Sequence, residues 1–161
     1  MPLNWKRDND DVMLDPQVFR HARRVLKFKP EVDLFASKFH HQLPRYCALE
    51  ADPNAAGRDA FTANWLLEFR PYIIPPWHLI PECLEQIRTD QAEVMMVVPK
   101  LETVASWPIF VALCTRFIDL DTPSYLRADK TLWKKPELDP RIGILVGNRD
   151  LASKAPSGKP N

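Results

Sequence analysis

Sixteen prolines against four glycines set the terms on which this chain can fold. Each proline fixes φ and removes a backbone donor, so long helices and central strands are interrupted. The pattern predicts short elements joined by stiff turns. Glycine scarcity restricts the chemistry as well. No GxxxxGKS or GxGxxG loop is present, which argues against a P-loop or a conventional dinucleotide fold.

At 161 residues the chain can enclose one core. No apolar run approaches the ~20 residues of a membrane helix, and the opening MPLNWKRDNDD lacks the apolar centre of a secretory signal. The expectation is a soluble intracellular protein, cytoplasmic or nuclear, with no membrane partner. Cys47, Cys83 and Cys114 are too far apart for a zinc knuckle and odd in number, so buried free thiols are expected.

Residues 1–14 read as a polar lead-in. Asp15-Pro16 then has the chemistry of a helix start, an Asp N-cap followed by Pro at the first helical position. Val18, Phe19, Ala22, Val25 and Leu26 form one apolar stripe, and Pro30 is the expected stop. The opposite face carries Arg20, Arg23, Arg24 and Lys27, with His21 and Lys29 close by. A net charge of +1 makes no electrostatic case for the whole chain. This cluster is either a solvated face or a surface for the phosphates of DNA or RNA.

Glu31–Ser37 reads as a short strand, residues 69–74 as another, and Glu93–Pro99 as a buried one. Leu79, Ile80, Cys83, Leu84 and Ile87 predict a second helix. Ser106 is placed to cap a third, with Ile109, Phe110, Leu113 and Phe117 on its inner face. The order predicts a three-layer α/β domain over 15–120 with a largely parallel central sheet. Residues 121–150 form a less defined extension, with a strand at 142–147, and 151–161 have the composition of a flexible tail.

The strand at 69–74 runs into Ile74-Pro75-Pro76-Trp77. Two readings are open: a strand ended by prolines with an indole in the core, or a degenerate catalytic loop. Asp33 and Asp59 admit a metal-nuclease pair, or an N-cap and a loop ion pair. His40 and His41 are adjacent, so their side chains diverge and a shared metal is not expected.

A series of short blocks then bears on the choice. LDPQVF at 14–19, VDLFAS at 32–37, QLPRY at 42–46 and DPNAAGRDAF at 52–61 precede Trp65. PPWHLI at 75–80, CLEQI at 83–87, VVP at 97–99 and Trp107-Pro108 follow. In this order they resemble the region downstream of ribonuclease H in the reverse-transcriptase polyproteins of DIRS-type, tyrosine-recombinase retroelements. The resemblance spans residues 14 to about 111 and implies other polyprotein domains as partners.

That region is in turn similar to phage-type DNA adenine-N6 methyltransferases. The likeness implies a Rossmann-like fold in which Asp33, Ala36, Ser37 and Asp59 line the S-adenosylmethionine side. Pro75, Pro76 and Trp77 would lie on the base side. Trp65, Pro99 and Trp107 match the remaining blocks. Two positions depart from the pattern: Phe35 stands where the family has Asp, and Ile74 where it has Asn or Asp. Without an acceptor at Ile74 the target amine cannot be oriented, which should cost several powers of ten in rate. The expectation is an accessory nucleic-acid module with a silent methyltransferase-like site and no cofactor, or S-adenosylmethionine if transfer survives. A purely structural or interaction domain is the alternative.

Overall fold

The computed structural model describes residues 12–36, 41–48, 60–62, 65, 70–120, 125–127, 139–147 and 157–160. Helix α1 (Pro16–Leu26) starts as its sequence dictates: the Asp15 carboxylate accepts from the Gln17 N–H at 2.9 Å, with proline in the first turn. Its end differs from expectation. Lys27 turns left-handed (φ 52°) and the Phe28 N–H reaches the Arg23 carbonyl, so the helix closes before Pro30 is reached. Phe19, Ala22 and Leu26 are buried, with Val18 and Val25 packed beside them.

The strands β2 (Val32–Ala36), β3 (Tyr46–Ala48), β4 (Pro71–Ile73), β5 (Glu93–Pro99), β6 (Cys114–Asp119), β8 (Pro140–Val146) and β9 (Ser157–Pro160) form one mixed sheet. Its order is β3-β2-β4-β5-β8-β6-β9. Six strands run the same way. Only β8 opposes them, antiparallel to β5 along seven residue pairs and to β6 on its other side. Separately, β1 (Val12–Leu14) pairs antiparallel with β7 (Tyr125–Arg127).

Helices cover both faces of the sheet. Val94, Met96 and Val98 of β5 point to the side of α2 (Ile80–Asp90) and α3 (Trp107–Leu113), while Met95 and Val97 point to the α1 side. This alternation divides the core into two apolar layers. The fold is therefore α/β, layered and largely parallel, as the element order predicts.

Several elements depart from the sequence reading. Phe117 belongs to β6, which follows α3 without a break. Ser106 takes the N-cap position of α3 without a side-chain cap bond. The sheet runs past residue 120: β8 lies between β5 and β6, and residues 157–160 of the expected flexible tail form β9. Residues 12–14 of the expected lead-in are a strand. Gly143 explains how β8 fits. A Cβ there would lie 2.8 Å from the Cys114 sulfur and 3.0 Å from the Phe110 ring, so glycine lets the strand pass under α3 without displacing either side chain.

Candidate functional site

Chain order and strand order together mark one position in the sheet. From β2 the chain moves outward to β3, then crosses back to β4 on the other side of β2 and continues to β5. Open parallel sheets bind ligands outside the carboxyl ends of their strands, at such a switch point. Here it lies between the ends of β2 and β4, which are Ala36 and Ile73-Ile74-Pro75.

The sequence-derived residues are only partly brought together at this edge, and Asp33, the second residue of β2, lies toward the strand's amino end. Asp33 is 2% exposed and lies within β2. Its Oδ2 accepts from the Gln42 N–H at 3.0 Å, its own N–H donates to the Arg45 carbonyl, and Gln42 Nε2 donates to the Leu14 carbonyl. The carboxylate thus ties residues 41–45 to the sheet. Ala36 is fully buried. Ser37 and Asp59 lie outside the described residues, as does His40. His41 stacks on Tyr46 at 4.1 Å and its Nδ1 is 2.8 Å from the Leu43 carbonyl oxygen, the setting of a satisfied imidazole.

The departures from the methyltransferase pattern are built into the packing. Phe35 is buried edge-on against Phe61 and Trp65. The Trp65 indole donates to the Ala60 carbonyl at 2.8 Å and its backbone N–H donates to Asp90. Ile74 is half-buried against the α1-side core. Pro75 and Pro76 are buried, and the Pro76 carbonyl accepts from the Leu79 N–H to open a single 3₁₀ turn, Trp77–Leu79, that leads into α2.

Trp77 is half-buried and faces a pocket of about 310 Å³ together with Pro99, Trp107 and Phe110. Three positions from separate sequence blocks, Trp77, Pro99 and Trp107, therefore share one wall. The Trp107 ring stacks on Phe110, with ring centres 5.5 Å apart, and the Arg141 guanidinium lies 4.9 Å from its centre. Arg141 is itself held by a two-pronged bond to Asp119, which Lys100 approaches at 3.5 Å. The pocket can stack a flat ring, but among the described residues no carboxylate or carboxamide lines it.

The opposite edge is different. Arg20, Arg23, Arg24 and Lys27, all four proposed from sequence to meet nucleic acid, line one groove of about 500 Å³. Lys29, which precedes β2, and Arg70, which precedes β4, complete it. Five of the six cations are exposed and Arg23 is half-buried, its guanidinium 5.6 Å from the Phe19 ring centre. Among the described residues none of the six forms an ion pair. The α1 carbonyls at this end are covered from β6: Arg116 Nε donates to the Leu26 carbonyl and Nη2 to that of Lys27. Sequence reasoning missed Arg70, which is 43 positions beyond Lys27; its only local sign is its place before Pro71.

Among the described residues no three His, Cys, Asp or Glu side chains gather as a metal site, and no helix is long and apolar enough to cross a membrane. Neither a protein-family model, nor a curated protein, nor a solved structure matches this chain.

Proposed function

We propose that this protein is an accessory nucleic-acid-binding module, and that its carboxyl-edge crevice is a methyltransferase-like site without transfer activity. The convergence of six cations, unpaired among the described residues, on one groove carries the reading. Such a surface gains affinity by releasing counterions from a phosphate backbone. A Rossmann-like fold is supported by the six co-directional strands and by a switch point whose flanking ends fall in the sequence blocks that begin at Val32 and at Pro75. Silence is supported by what the residues do: Asp33 is engaged with Gln42, Phe35 is core, and Ile74 offers no acceptor. The module's place beside the other domains of a DIRS-type polyprotein rests on the ordered sequence blocks.

Oligonucleotide binding followed by anisotropy between 50 and 200 mM salt tests the reading, and affinity should fall steeply across that range, on the order of tenfold or more. Calorimetry with S-adenosylmethionine should give no heat. Binding of no oligonucleotide would leave an interaction scaffold. Cofactor heat together with methyl transfer to DNA would make the protein an active enzyme.

A further inference from the structure

The groove has two walls. Along α1, Arg20, Arg23, Arg24 and Lys27 fall at i, i+3, i+4 and i+7, one helical face about 10 Å long at 1.5 Å per residue. Facing them are Lys29 and Arg70, from the segments that enter β2 and β4. These segments are joined to each other: the Glu31 N–H donates to the Arg70 carbonyl at 3.1 Å. Arg70 has a left-handed backbone (φ 52°), which is sparsely populated by non-glycine residues and persists only where its surroundings impose it.

We infer that this groove grips the sugar–phosphate backbone of a double-stranded nucleic acid, with Arg70 and Lys29 as the wall opposite α1. The inference rests on the nucleic-acid reading above and specifies its ligand. The 3.4 Å rise per phosphate of a duplex strand is along its axis, and successive phosphates lie roughly 6–7 Å apart along the backbone, so a 10 Å cationic face meets about two in succession. Among the described residues the one ring lining the groove, Phe28, is 4% exposed and offers no face for a base. Sites for single strands rely on exposed aromatic rings on which bases stack; the described lining has charge without such rings. Arg116 removes the partial negative charge that the end of α1 would turn toward a phosphate. The groove also lies at the amino edge of β2 and β4, across the sheet from Trp77, so a bound duplex need not enter the aromatic pocket. A bilayer is a poorer fit, because among the described residues no exposed apolar side chain lines the groove to enter it.

Anisotropy titrations of the full chain with a 20-base-pair DNA duplex, the matching RNA duplex and oligo-dT of 20 nucleotides test this, each at several salt concentrations. Either duplex should bind more tightly than oligo-dT, and comparing the two duplexes assigns the source of the backbone. Arg70→Gly keeps the left-handed backbone while removing the charge. It should weaken duplex binding and lower the salt slope by about 0.9, one phosphate contact. Lys29→Gln, at an exposed position, should do the same, whereas Arg88→Gln, an exposed cation on α2 outside the groove, should change neither quantity. Tighter binding of oligo-dT, or a slope unmoved by both groove variants, overturns the duplex assignment and leaves nucleic-acid binding standing. If no oligonucleotide binds and only vesicles of anionic lipid do, both readings fall.

Discussion

The two edges of the sheet treat charge in opposite ways. At the carboxyl edge it is satisfied within the protein: Asp119 holds Arg141 and meets Lys100. What remains open there is an aromatic wall. At the amino edge six cations line a groove with no ion-pair partner among the described residues. Parallel sheets usually place ligands at the carboxyl edge. Here the described charges at that edge are paired within the protein, and the charge offered to solvent lies on the other side. Position in a fold therefore says where a site could be, and the pairing state of its side chains says whether one is on offer.

The strongest way to break this contrast is to place at Phe35 the carboxylate of the proposed methyltransferase-like pattern. Phe35 is 4% exposed, edge-on to Phe61 and Trp65. Phe35→Asp places an unpaired charge in that cluster and should destabilise the protein by roughly 3–5 kcal/mol, read from urea unfolding. A stable variant would show that the edge is still a polar site.

Asp119→Ala tests the same edge more gently. It strips both acceptors from an Arg141 side chain that is 13% exposed and should cost about 2–3 kcal/mol. The Trp107 ring would lose its fixed neighbour, so tryptophan fluorescence should shift together with the unfolding midpoint.

How much of this was legible beforehand follows the range of the interactions. The Asp15-Pro16 start, the stripe of α2 and the apolar run of β5 are local patterns, and each produced the element it predicts. The end of α3 was misread for a local reason too. Phe110, Leu113 and Phe117 continue a helical spacing, but Cys114 onward pairs with β8, and that ladder overrides the spacing. The central place of β8 depends on two partners far back in the chain and on the Cβ-free surface of Gly143, which no window of sequence displays. For the sites, four of the six groove cations were visible as one helical face, whereas Arg70 joins them only through the pairing of β2 with β4. Asp33 looked like a ligand because it falls in a block resembling a cofactor-side strand and because an Asp on each of two strand-like segments can share a metal. Its partner, the Gln42 N–H, lies on a segment without periodicity.

The core between the two edges gives a pH dependence independent of either. Burial, with a lesser push from Glu82, raises the Cys83 thiol well above its ordinary range. The unfolded thiol ionises near pH 8.5 while the folded one keeps its proton, so stability falls as pH rises through that value. The loss should be under about 1 kcal/mol at pH 9 and absent in Cys83→Ala, whose own packing cost does not vary with pH. Native protein should also resist alkylation at this position.

At the amino edge the expected stability effect is smaller still. Arg24→Gln removes an exposed cation from a like-charged cluster and should leave the unfolding free energy within about 0.5 kcal/mol of wild type. A larger loss would mean that the cluster is a structural feature, with the contrast between the edges lost.

The last test expects no effect on chemistry at all. Ile74→Asn restores the acceptor that the methyltransferase loop requires, at a half-buried position where a carboxamide can be accommodated at about 1 kcal/mol. If the strand-end crevice had lost only this group, the variant should transfer tritiated methyl groups from S-adenosylmethionine to DNA. We expect none, because the differences from the proposed methyltransferase-like pattern are not confined to the loop: Phe35 fills a ring cluster where that pattern has an acid, and the Asp33 carboxylate is held by Gln42. A measurable rate in Ile74→Asn would show that the cofactor side had survived and would move the boundary between packing and site back to one residue.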